Sequence, residues 1–270
     1  MHTKAKKPMY RMPVVFGPTA GPRQAPPGVV YDPENCPARR SAYARFHTDP
    51  SALAAMLPPN FEIRGEPLIA FEFTYMTEID WLAGRGYNML TVRIPVRFTG
   101  SDQPLDGWFQ PVIWENLADP IISGREELGF NKIYADLPPA TRYGETQTFC
   151  AEWMGFRFMT LKLHGATPAE NTFGPGAHLF HHKYVPATQA WGEADADYIV
   201  MTPAGNPMQR VLSHHTATAE LLIHRPRWED MPTQFQIVQK LADIPLQKLH
   251  SAGFSTARGG KDLSDQVRFL

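Results

Sequence analysis

Cysteine is nearly absent from this 270-residue chain: Cys36 and Cys150 stand far apart, outside any CxxC pattern. That argues against a disulfide scaffold or a cysteine-based zinc site, and a reducing, cytoplasmic setting is the expectation. A Cys36–Cys150 bridge is the minor alternative. No charge of one sign is in excess, because 26 Lys and Arg oppose 27 Asp and Glu for a formal net charge of -1. Nucleic-acid binding, which needs a concentrated positive field, is therefore not expected. No apolar run reaches the roughly 18 residues of a membrane span. The opening MHTKAKKPMYRMP carries basic residues without a following apolar stretch, so it does not read as a secretion signal. A glycine-rich phosphate or dinucleotide fingerprint is also missing, and no cofactor is expected.

What is present is a 43% hydrophobic chain, ample for one large core. Residues 1–35 are rich in Pro and Gly and read as an extended arm; residues 36–270 read as a single catalytic domain. Asp49-Pro50 opens a short helix through Met56, with Asp49 as cap, and Pro58-Pro59 stops it. Strand-like segments run from Leu68 to Thr74, Asn88 to Phe98, Phe109 to Glu115, Phe130 to Ala135, Thr146 to Cys150 and Phe156 to His164. Others cover Leu179 to Val185, Tyr198 to Met201, Val211 to Thr218 and Glu220 to His224. In the second, Val92, Ile94, Val96 and Phe98 face one way and Arg93 and Arg97 the other, the period of a half-buried strand. A later helix spans Thr233 to Leu241 and docks through Ile237, Val238 and Leu241. The tail after Gly253 reads as loose. The expected fold class is α+β, mainly antiparallel, with a strongly curved sheet forming a cone or partly closed barrel and a few peripheral helices.

One lysine stands out. Lys132 lies between Phe130 and Tyr134 in the run Gly-Arg-Glu-Glu-Leu-Gly-Phe-Asn-Lys-Ile-Tyr, and on a strand these three side chains would share a face. A lysine lining an enclosed cavity gives up its proton more readily, and a neutral amine attacks a ketone or aldehyde to form a Schiff base. The alternative is an exposed edge-strand lysine that discourages sheet pairing.

The segment Gly124–Lys132 is similar to the signature of the acetoacetate decarboxylase family: Gly-Arg-Glu, a variable stretch, an aromatic residue and then a lysine pair. The likeness extends through Tyr43, Leu57-Pro58, Phe71-Glu72, Ile94–Gly100, Lys183–Pro186 and Asp243–Leu246. It implies that Lys132 forms the Schiff base and that Glu72 is one of two carboxylates near it. The position of the other carboxylate holds Met89, and the second lysine of the pair is replaced by Ile133. Arg39 and Arg40 lie where the family places an arginine that holds the substrate carboxylate. Arg125 and Glu126 precede the lysine; a structural role in aiming it is expected for Arg125, and a place near the pocket is open for Glu126. Phe130 would line the pocket, and Tyr134 would either donate a proton or pack.

Losing one carboxylate and the adjacent lysine counts against the parent decarboxylation. The resemblance then implies a Schiff-base lyase acting on a small keto acid or related carbonyl compound by aldol or retro-aldol chemistry, dehydration or cyclisation. Decarboxylation of a β-keto acid such as acetoacetate is the alternative, and non-catalytic carbonyl binding a second. Its partners would be a small carbonyl substrate and further copies of itself as a homo-oligomer, with neither nucleic acid nor membrane. His178, His181 and His182, with His214 and His215, invite a metal reading. Adjacent strand residues point to opposite faces, however, so these are expected to be surface or interface histidines and no metal is assigned.

Overall fold

A computed structural model describes residues 7–171 and 176–270. Strands are the dominant regular structure. In order these are β1 (Ala38–His47), β2 (Phe61–Ile63), β3 (Leu68–Ile79), β4 (Arg85–Phe98), β5 (Leu105–Glu115), β6 (Lys132–Tyr134) and β7 (Thr141–Tyr143). There follow β8 (Thr146–Trp153), β9 (Phe156–Pro168), β10 (His178–Pro186), β11 (Ala194–Thr202), β12 (Arg210–Ile223), β13 (Leu249–Arg258) and β14 (Val267–Phe269). Among the described residues three short α-helices accompany them: α1 (Pro50–Ala54), α2 (Ala118–Ser123) and α3 (Phe235–Ala242).

The strands join in one sheet in the order β14-β11-β10-β5-β4-β3-β1-β13-β12-β9-β8-β7, with β2 on β4 and β6 on β5. This corrects the expected cone or partly closed barrel. The path has two free ends, β14 and β7, so the sheet is not closed, and it is mixed. Both β10 and β6 run parallel to β5. The physical reason lies in a connection that the Gly and Pro punctuation hides. Residues 116–131 carry α2, and a helical crossover returns the chain alongside β5 in the same direction, which a hairpin cannot do.

Alternation builds the core. Ala42 and Ala44 on β1, Phe71 and Phe73 on β3, and Leu90 and Val92 on β4 are all fully buried and adjacent in register. The opposite face of the same three strands is polar: Arg39, Ser41, Tyr43 and Arg45, then Glu72 and Thr74, then Tyr87, Met89, Thr91 and Arg93. Helix α1 starts as expected, the Asp49 carboxylate accepting from the Ser51 and Ala52 amides, but it ends at Ala54, short of Met56. Helix α3 buries Val238 and Leu241. Just before it, the buried Gln234 accepts from Trp114 Nε1 at 2.7 Å and donates to the Tyr134 carbonyl at 2.9 Å. That side chain ties β5 to β6 behind the lysine. The tail is not loose as far as Phe269: β13 pairs with β1 and β12, and β14 with β11. Cys36 and Cys150 are both free thiols.

Candidate active site

Lys132 opens β6 and is buried, 6% exposed, so the exposed edge-lysine reading does not hold. Its amine lies 2.8 Å from Oε1 of Glu115, which is fully buried at the end of β5. The amine also donates to the Pro120 carbonyl at 3.1 Å, where α2 begins. Burial raises the Glu115 carboxyl above its ordinary value, and the attraction of Lys132 opposes this only in part. Burial of the carboxyl without other hydrogen-bond donors among the described residues leaves Lys132 as the charge that favours its ionised form. Glu115 Oε2 has no hydrogen-bond partner among the described residues.

The signature segment aims the lysine. After α2 the chain widens into a π-helical turn, Gly124–Leu128. A Cβ on Gly124 would stand 2.6 Å from Lys132 Cε and 2.8 Å from Nζ, so the lysine passes where only glycine leaves room. Gly129 ends the turn in the left-handed region, φ 74°. Arg125 Nη1 donates to the Lys132 carbonyl at 2.9 Å, which makes it a clamp on the lysine backbone. Glu126 is exposed, and its carbonyl accepts from Lys183 Nζ at 2.7 Å. Glu127 holds Arg11 and Arg23 of the N-terminal arm at 3.0 and 3.2 Å.

Around the amine stand Tyr87, with its ring centroid 6.0 Å away, and Phe130 at 5.5 Å. Burial, and then the Glu115 carboxylate, push the Tyr87 hydroxyl well above its ordinary value, so it remains a neutral donor. The ring of His181, fully buried on β10, stacks on Phe130 at 4.2 Å between centroids. The expectation of a surface or interface histidine is corrected here. His182 points the other way and meets Asp197 at 2.7 Å. No group of three or more metal-ligating side chains occurs among the described residues.

The remaining predicted residues fall in different places. Met89 sits directly opposite Glu115 in the β4–β5 register. A fully buried carboxylate thus stands one strand over from the position where β4 carries methionine. Glu72 is one strand further away and holds Arg93 with two hydrogen bonds, at 3.0 and 3.3 Å. Arg39 shares the polar face and donates to the Gly259 carbonyl at 3.1 Å. Arg40 is on the other face, with Gln147 and over the Phe254 ring. Tyr134 is 43% exposed, and its hydroxyl binds Asp136 at 2.7 Å rather than the amine. Ile133 packs against the core.

Fold and site together define a mixed-sheet protein with a buried lysine–carboxylate pair at the edge of a polar, arginine-rich face. Residues 11–258 match the family described as acetoacetate decarboxylase (ADC), and the chain belongs to that family. A comparison with curated protein sequences finds no significant match. Among solved structures it is similar to an acetoacetate decarboxylase from Legionella pneumophila, at 18% identity and TM-score 0.62 over 97% of each chain. It also resembles an acetoacetate decarboxylase-like enzyme from Sphingomonas wittichii, at 15% identity and TM-score 0.62, covering 87% of this chain and 91% of that one. A third is the enduracididine biosynthesis enzyme MppR, solved with the condensation product of pyruvate and imidazole 4-carboxaldehyde. It aligns at 14% identity and TM-score 0.62, over 83% of this chain and 84% of the other. At these identities the likeness speaks for the fold.

Proposed function

We propose that the protein is a Schiff-base-forming lyase that attacks a small keto acid with Lys132. The observation that carries this reading is the 2.8 Å pairing of a buried amine with a fully buried carboxyl. Proton transfer from ammonium to Glu115 leaves a neutral amine without an external base. The amine adds to the substrate carbonyl; Glu115, now an acid, protonates the departing hydroxyl as water leaves and the iminium forms. The iminium withdraws electrons from the adjacent carbon, which loses a proton to the Glu115 carboxylate to give an enamine. Tyr87, whose ring lies 6.0 Å from the amine and whose hydroxyl stays protonated, is the neutral donor of the site.

The enamine then attacks a second carbonyl, or the adduct loses water. This aldol, dehydration or cyclisation outcome draws support from the condensation product bound in the MppR structure. Decarboxylation of a β-keto acid is the second reading, and one observation favours it. The argument against it was a missing carboxylate at Met89, yet Glu115 lies across from that position and can deliver the proton to carbon.

The test is borohydride reduction in the presence of pyruvate or a β-keto acid, followed by mass mapping. A reduced adduct on Lys132 is expected, and its absence across a panel of keto acids and aldehydes rejects the proposal. Release of carbon dioxide from the β-keto acid, without a condensation product when an aldehyde is added, selects the second reading.

A further inference from the structure

The chemistry at Lys132 and Glu115 leaves the β10 side of the amine without a role. His181 is fully buried there, and neither of its ring nitrogens has a hydrogen-bond partner among the described residues. Buried polar side chains are ordinarily bonded, so two open nitrogens on one ring mark a place where a ligand completes the structure. The ring is not free to turn away, because it lies 23° from parallel on Phe130, and that same phenylalanine flanks the lysine amine. Arg93 reaches the same region from β4. Glu72 fixes its two terminal nitrogens, while its Nε is buried and unpartnered. Burial, then the charges of Lys132 and Arg93, lower His181 to about 3, so the imidazole is neutral and offers one N–H donor.

Charge points the same way. Arg45 also feels Glu72 and Arg93. With Lys132 and with Arg39, which also faces Glu72, these arginines make four cations against the carboxylates Glu72 and Glu115, an excess of two positive charges. Such a set favours an anionic ligand, and a carboxylate can accept from both Arg93 Nε and the imidazole N–H, whereas a neutral ketone would leave both donors unmet.

We propose that His181 and Arg93 form the subsite for the carboxylate of a 2-oxo acid and hold its carbonyl carbon toward Lys132. The subsite rests on the imine reading and narrows its substrate to a compound whose carboxylate and ketone are adjacent. It also moves carboxylate recognition away from Arg40, on the opposite face, and toward the β10 side from Arg39, whose terminal nitrogen is held by the Gly259 carbonyl.

The test uses the full chain and titrates borohydride trapping with pyruvate and, separately, with acetone, which has the ketone and no carboxylate. In H181L the half-saturating pyruvate concentration is expected to rise by about tenfold or more, while the acetone curve stays within about twofold. H181N, which keeps a hydrogen-bonding amide, is expected to retain most of the preference for pyruvate. Equal shifts for both ketones, or no shift for either, overturn the subsite and leave the imine reading intact. Wild-type protein that labels with neither compound, nor with any other member of the keto-acid and aldehyde panel, overturns the imine reading itself.

Discussion

At the scale of single residues, the chemistry turns on whether Lys132 and Glu115 depend on each other. Removing the amine alone, as in K132M, leaves a carboxyl that burial already raises without its one favourable charge. Breaking a buried pair from one side costs about 3–5 kcal/mol, whereas replacing both members is close to neutral. K132M is expected to lower unfolding free energy by an amount in that range near neutral pH, and K132M/E115Q to recover most of it. The pH dependence has a definite sign. An acid whose folded value is raised loses stability as pH climbs above its unfolded value, near 4.5, toward the folded one. The K132M defect should therefore grow with pH and shrink in acid. Urea unfolding of both single variants and the double, at two pH values, measures the coupling. Additive effects would mean that the short distance carries no energetic dependence.

Among the elements, the turn from α2 to β6 governs how the amine is presented. Gly124 leaves the space that the lysine stem fills, so G124A pushes Cε and Nζ away from Glu115. Lys132 trapping is expected to fall about tenfold or more, and because Gly124 is buried the added methyl also overpacks the site, at a cost of about 1–3 kcal/mol in unfolding free energy. Unchanged trapping would show that the lysine has room elsewhere. Glu127 sits on the same turn and anchors the arm through Arg11 and Arg23. E127Q is expected to raise proteolysis within residues 7–35 while leaving the sheet intact, and limited proteolysis checks it. This turn is also where sequence reading met its limit. The alternation of Val92, Ile94, Val96 and Phe98 was legible, as were the Asp49 cap and the apolar side of α3. The signature Gly124–Lys132 drew attention to the lysine. Glu115 was not legible, because it lies at the end of an otherwise apolar strand, 17 positions from Lys132, and becomes its neighbour only through the parallel crossover. Strands β1 and β13 escaped notice for a related reason: their polar members face a site rather than solvent, which blurs the alternation.

For the whole molecule, enclosing a polar face within a sheet has a thermodynamic consequence that His181 makes measurable. The unfolded chain protonates a histidine near 6.5, whereas the folded protein holds His181 down at about 3, first by burial and then by the nearby Lys132 and Arg93 charges. A base with a depressed folded value contributes its full stability above about 6.5. As pH falls the unfolded state takes up protons that the fold refuses, and stability is lost down to about 3. At pH 5 that loss is on the order of 2 kcal/mol. Glu115 acts in the opposite sense, since its raised value favours the fold as acid approaches, so the net acid response of the wild type understates the histidine. H181L removes only the histidine contribution. Its unfolding free energy, plotted against that of the wild type from pH 7.5 to 4.5, is expected to converge on or overtake it as pH drops. Parallel curves would mean that the folded His181 is protonated as easily as an exposed imidazole. Its two open nitrogens would then face water rather than an enclosed pocket.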